Sequence, residues 1–330
     1  MIVDWSDIKV NFRGAHLLLG NGFSINVSRN FGYAKLKEAS DFPKRIRTLF
    51  NLREEETDNF EEVLLKLATA LDALKILKGS KESQEVIAEA YKEIREGLYD
   101  AVSNVHCNKN EFLEENCNFI DDIRKHLLKY KSIFTTNYDL ILSWIILSEP
   151  GGDGFTDYFF AEKFDLDDTE LWGNKVPVHY LHGALFLNSD AYSQTYKLNG
   201  VSGYRDNVSA IKKKTLQKNR YPLIVTEGDY LEKIRSIIKN DYLFFCFNQL
   251  MKTTGKFIIY GHSLDKVYDA HIIDALNNSN NKIAISIYKG RKNNNTLISE
   301  VIKYKEKLNK VSDIYFFYTN THPLNALGEV

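Results

Sequence analysis

The sequence predicts an α/β fold with a mostly parallel sheet, helices on both faces and a helical insertion after the first strand. Two observations carry that reading. Short apolar runs closed by glycine or small polar residues recur along the chain, as in HLLL before Gly20-Asn21-Gly22 and KFIIY before Gly261. Segments with apolar residues at helical spacing separate them.

In chain order, His16–Leu19 reads as a buried strand ending in a tight turn. From Asn59 to Leu77 the residues Phe60, Val63, Leu64, Leu67, Leu71 and Leu74 return at helical spacing. Ser83–Val105 and Glu111–Leu128 read the same way, so residues 55–130 form the helical insertion. The α/β alternation then resumes. Strands are expected at Ser132–Phe134, Val176–Leu181, Leu223–Val225, Lys256–Tyr260, Ile283–Tyr288 and Ile314–Phe317. Helices are expected at Leu140–Leu147, Asp229–Lys239, Asp241–Met251, Val267–Leu276 and Leu297–Leu308. The Ser, Asn, Tyr and Lys-rich stretch Asn188–Asn219 reads as a long loop or lid. One domain over residues 1–330 accommodates all of this.

Composition narrows the function classes. With 43 Lys and Arg against 44 Asp and Glu, no overall field draws the chain to nucleic acid or an anionic membrane. The local runs Lys212-Lys213-Lys214 and Glu54-Glu55-Glu56 read as solvated faces. Cys107, Cys117 and Cys246 form no CxxC pair, so neither a four-cysteine zinc site nor a disulfide framework is expected. MIVDWSDIKV lacks the apolar core of a signal peptide, and the longest apolar stretches fall far short of a membrane span. The expectation is a reduced, soluble, cytoplasmic protein.

Chemistry-bearing residues gather where strands end. Gly20-Asn21-Gly22-Phe23-Ser24 follows HLLL. Its glycines permit a tight turn and close approach to a ligand, and free amides at the next helix start favour a phosphate. The third glycine of a dinucleotide fingerprint is missing, and a purely structural turn uses the same residues. In SIFTTNYDLIL, one cap explains Thr or Asn, but not Asn137 together with Asp139 inside the helix start. VPVHYLHG puts His182 at a strand tip beside Gly183, which opens backbone room, while His179 points to the opposite face. Gly261-His262-Ser263-Leu264 follows KFIIY, with Asp269 and His271 further on. A hydroxyl-bearing turn there suits a ribose or phosphate, although a plain strand-to-helix turn fits as well.

GNGFS, TTNYD, LHG and GHSL, in that order, resemble the sirtuin-like NAD-binding family: a GAG- or GNG-type loop, T-x-N-x-D, a catalytic HG and a G-x-S-L turn. The resemblance runs from about His16 to Leu276 and implies a Rossmann-like fold that binds NAD. It implies that Gly20, Gly22 and Ser24 hold the pyrophosphate, with Asn21 in the same loop. Asn137 and Asp139, with Thr136, would hold the nicotinamide ribose and the amide or water beside it. His182 would be the general base, and Gly261 with Ser263 would contact the adenosine ribose.

Two departures narrow the branch. The deacylases of that family usually carry a four-cysteine zinc module and a Gly-Ile-Pro-Asp-Phe-Arg-like stretch, whereas here Ser24 is followed by INVSRNFGYAKL. The sequence therefore resembles the sirtuin-like NAD hydrolases known as bacterial antiviral effectors, with NAD+ as substrate and no metal. The alternatives are a non-catalytic NAD or ADP-ribose module and, less favoured, a deacylase. Restraint of a toxic hydrolase implies a homo-oligomer or a separately encoded sensor.

Overall fold

Apolar runs without polar alternation are what a sheet covered on both faces requires, and the strands have that character. The computed structural model describes residues 1–52, 55–106, 109–115, 117–148, 154–170, 173–198, 211, 218, 220–226, 229–278 and 281–325. Its strands are β1 (Ile2–Val3), β2 (His16–Leu19), β3 (Asn51–Leu52), β4 (Glu55–Glu56), β5 (Ile133–Thr135), β6 (Phe155–Thr156) and β7 (Val176–Tyr180). They continue as β8 (Gly183–Ser189), β9 (Thr195–Lys197), β10 (Tyr221–Ile224), β11 (Lys256–Tyr260), β12 (Lys282–Ile287) and β13 (Asp313–Tyr318). Every residue of β5 and β7 is buried, as is all but the first residue of β2, β11 and β12.

The central sheet has eight strands in the order β1-β13-β12-β11-β2-β5-β7-β6, each neighbouring pair parallel, with helices around it. This is the Rossmann-like α/β architecture. From β2 the chain passes to β5 on one side and later returns as β11 on the other. The strand order thus reverses at β2, and a crevice opens beyond the carboxyl ends there.

The helices Phe60–Ile76, Lys81–Val105, Lys109–Glu115 and Cys117–Leu127 lie between β2 and β5 in the chain. Asn59 and Ser80 cap the first two, their side-chain oxygens accepting from Glu61 N and Ser83 N. Phe60, Val63, Leu64 and Leu67 are buried as their spacing predicts. Beyond them the stripe runs out of partners: Leu71 and Leu74 are half-buried, and Ile76 and Leu77 are exposed.

Several expectations are corrected. A short strand, β1, precedes the one read as first; its two residues are too few to show a period. The stretch read as a loop from Asn188 begins inside β8 and contains β9. Of its other residues, 199–210, 212–217 and 219 lie outside the described ones, and so the run Lys212–Lys214 does too, as do Glu54 and Cys107. The strand near Leu223 is β10, which joins β8 and β9 in a separate antiparallel sheet. The backbone room that Gly183 opens is filled by β10: Gly183 adopts φ +79°, and a Cβ there would meet the Leu223 carbonyl oxygen at 2.0 Å. Among the described residues no helix is long and apolar enough to cross a membrane.

Candidate active site beyond the carboxyl ends of the strands

The turns after β2 and β11 interlock backbone to backbone. Gly20 N donates to Tyr260 O at 3.0 Å and Gly22 N to Gly261 O at 2.8 Å. A Cβ on Gly20 would meet His262 Cα at 2.5 Å, and one on Gly22 would meet Gly261 Cα at 2.7 Å. Gly261 sits at φ +66° with its missing Cβ 2.7 Å from the Gly22 carbonyl carbon. The glycines thus have a packing role beside any ligand role.

The turn after β5 is tied to the same junction. Asn137 N donates to Thr135 Oγ1, and Asn137 Nδ2 donates to Gly20 O at 3.0 Å and Ser24 Oγ at 2.9 Å. Ser24 Oγ donates to Asp139 Oδ2 at 2.5 Å, and Asp139 Oδ1 accepts from Ile141 N at 2.9 Å. Asp139 therefore precedes the helix Ile141–Ile146 instead of lying inside its start. Burial pushes its carboxyl up, opposed by those two hydrogen bonds. Asn137 is 6% exposed, and its Oδ1 has no hydrogen-bond partner among the described residues. A buried acceptor left over in this way is a place for a ligand donor.

These turns enclose a cavity of about 300 Å³, near the lower end for small-molecule sites. Of the residues singled out in the sequence, Gly20, Asn21, Thr136, Asn137, Asp139, His182, Gly261, His262, Ser263 and Asp269 line it. Gly22 and Ser24 do not; they stand behind the wall, Gly22 against Gly261 and Ser24 between Asn137 and Asp139. His182 lies in the turn between β7 and β8, where its carbonyl accepts from Val225 N at 2.9 Å. His179 is buried in a stack between Phe134 and Tyr158, away from the cavity lining.

The structure adds residues that sequence reasoning did not assign. Lys233, from the helix Tyr230–Lys239, is 1% exposed, lines the cavity, and pairs with Glu61 and with Asp269 Oδ1 at 3.5 Å. Burial opposes the Lys233 charge, but the two carboxylates raise it. For Asp269, burial is outweighed by Lys233 and the neighbouring histidines, which hold its carboxyl at about 2. Burial, opposed by Lys233, raises Glu61. His182 Nε2 faces His271 Nε2 at 3.1 Å. Burial first, then Lys233 and His271, push His182 well below the ordinary histidine range, and burial holds His271 at about 4. At neutral pH both rings are therefore uncharged. Only a break in the apolar pattern, a lysine among Tyr230, Ile234 and Ile237, could have pointed to Lys233.

A family model described as "Domain of unknown function (DUF4917)" matches residues 17–324. The chain belongs to the DUF4917 family. No curated protein matches this DUF4917 chain. Among solved structures, one described as "Structural Basis for the Mechanism and Regulation of Sir2 Enzymes" is similar over 98% of this chain and 93% of its own, at 12% identity and a TM-score of 0.38.

The interlocked glycines make a direct prediction for this DUF4917 chain. Gly261→Ala adds a Cβ at positive φ against the Gly22 backbone, for a loss of about 2–5 kcal/mol. Urea denaturation checks it. A midpoint equal to that of the unaltered chain would mean that the two turns can separate freely.

Proposed function

We propose that this chain is an NAD+ glycohydrolase that cleaves the nicotinamide–ribose bond at the cavity beyond β2, β5, β7 and β11, and that it depletes NAD in antiphage defence. The observation that carries the reading is the unpartnered Asn137 Oδ1 in a cavity lined by Gly20, Asp139, His182 and Gly261. An orphaned acceptor suits a ribose hydroxyl or a water, both of which donate. The GNGFS, TTNYD, LHG and GHSL resemblance supplies the substrate class.

The bond breaks with its electron pair leaving on nicotinamide, which departs neutral from a cationic ring. Water then adds to the ribose carbon and loses a proton. Little covalent chemistry is required of the protein, whose task is to grip the ribose and position the water. Asn137 holds a ribose hydroxyl or the water without adding charge. His182 is the second side chain that meets them. Asp139 braces Asn137 through Ser24, and Gly22 with Ser24 shapes the loop whose cavity-lining part, Gly20-Asn21, faces the pyrophosphate. Gly261 and Ser263 take the adenosine ribose. The chain works as one domain, with residues 55–130 as an insertion, and is restrained by self-association or a separately encoded partner.

The test is nicotinamide release from NAD+ by the purified full chain, with its oligomeric state followed by light scattering. Release by the unaltered protein, reduced about 100-fold or more in both Asn137→Ala and His182→Ala, supports the reading. NAD bound but never cleaved by any assembly would overturn it in favour of a binding module. A monomer fully active alone would remove the proposed restraint.

A further inference from the structure

His182 and His271 present the same ring nitrogen to each other. Their Nε2 atoms are 3.1 Å apart, and both side chains are buried. Two neutral imidazoles in that arrangement share one proton: one Nε2 carries a hydrogen and donates, and the other accepts with its lone pair. The choice fixes the far side of each ring. If His182 donates, its Nδ1 is bare and could act as a base, while His271 must carry its hydrogen on Nδ1. If His271 donates, the pattern inverts: His182 carries its hydrogen on Nδ1, and His271 Nδ1 is bare.

The surroundings of His271 decide between the two. Its Nδ1 is buried and has no hydrogen-bond partner among the described residues. A buried N–H without an acceptor is rarer and more costly than a buried lone pair without a donor. His271 is therefore better accommodated with Nδ1 bare and its hydrogen on Nε2, aimed at His182. The His182 lone pair is then occupied, and its remaining nitrogen, Nδ1, carries a hydrogen.

We infer that His271 is a positioning residue that fixes His182 as a hydrogen-bond donor toward the ligand, through Nδ1–H, instead of a general base. The inference rests on the reading above for the identity of the ligand, a ribose hydroxyl oxygen or a water, but not for the tautomer. A donor suits bond cleavage in which the leaving group needs no proton and the demand is to hold the ribose still. Lys233, Asp269 and His262 are the other charged or titratable groups that act on His182. Burial and the nearby ammonium keep the ring neutral, so the tautomer, not the charge, is the variable that His271 controls.

The test is nitrogen NMR of the full chain with labelled histidine, without ligand, the His182 signals being assigned by their loss in His182→Ala. The expected result is a protonated Nδ1 and a bare Nε2. A protonated Nε2 on His182 overturns the inference whatever the enzyme does. His271→Phe removes the donor and is expected to give a mixture of His182 tautomers. It should also lower kcat for nicotinamide release about tenfold or more at similar KM. His271→Gln places an amide donor where Nε2–H was and should restore both readings; equal loss in Gln and Phe would reduce His271 to a space-filling role. If the unaltered chain releases no nicotinamide, the glycohydrolase reading falls while the tautomer measurement still decides this one.

Discussion

Acidification from about pH 7.5 to about pH 5 is expected to lower the thermal midpoint steeply. Burial holds His271 at about 4 and His179 at about 3, against an ordinary histidine value of about 6.5 in the unfolded chain. His126 is held at about 4, His262 is lowered, and His182 and His322 lie well below the ordinary range, in each case chiefly through burial. Below about pH 6.5 the unfolded chain binds protons that the folded chain excludes. Stability is therefore fully present above that value and is lost as the pH falls toward the folded values. By about pH 5 the loss is about 2 kcal/mol for His271 and about the same for His179. His126 adds a similar amount and His16, His182, His262 and His322 shift in the same direction, so the loss is a large share of the whole stability of an ordinary domain, about 5–15 kcal/mol. Glu61 and Asp139, raised by burial, act in the opposite sense, but they are two groups against seven histidines, His16 among them. Calorimetry across this range checks the prediction, and an unchanged midpoint would contradict it.

Lys233→Met is expected to destabilise the chain by about 3–5 kcal/mol. The methionine fills a similar volume, so the loss comes from charge: Glu61 and Asp269 remain buried with no ammonium between them. The linkage also joins distant parts of the chain, since Glu61 belongs to the helix Phe60–Ile76 and Lys233 to the helix Tyr230–Lys239. Adding Glu61→Gln and Asp269→Asn to Lys233→Met should recover much of the stability, because the uncompensated charges go with the lysine. Denaturant unfolding of the single and triple variants measures both effects. A single variant within about 1 kcal/mol of the unaltered chain would mean that water already reaches the cluster.

Much of the architecture was legible in local pattern. KFIIY and HLLL are too apolar and too short for anything but strands buried on both faces. Phe60, Val63, Leu64 and Leu67 repeat at the helical period, and Asn59 and Ser80 mark helix starts with side chains that cap. The strand-end grouping of Gly20, Asn137, His182 and Gly261 was also readable, because in a parallel sheet every strand's carboxyl end faces the same side. What misled was local as well. The polar composition after Asn188 reads as loop, yet the buried end of β8 reaches into it, and β9, with Tyr196 and Lys197 half-buried, pairs antiparallel with β8 there.

The sequence by itself determined most strands of the parallel sheet and the longer helices, and that the carboxyl ends of those strands would collect the polar turns, because both follow from side-chain periodicity and chain direction. Only the tertiary structure decided that Lys233 meets Glu61 and Asp269, that His271 shares a proton with His182, and that Gly20 and Gly22 pack on the turn at Gly261. Those contacts join residues far apart in the chain, and whether a buried charge or ring nitrogen finds its partner depends on packing, which no local pattern encodes.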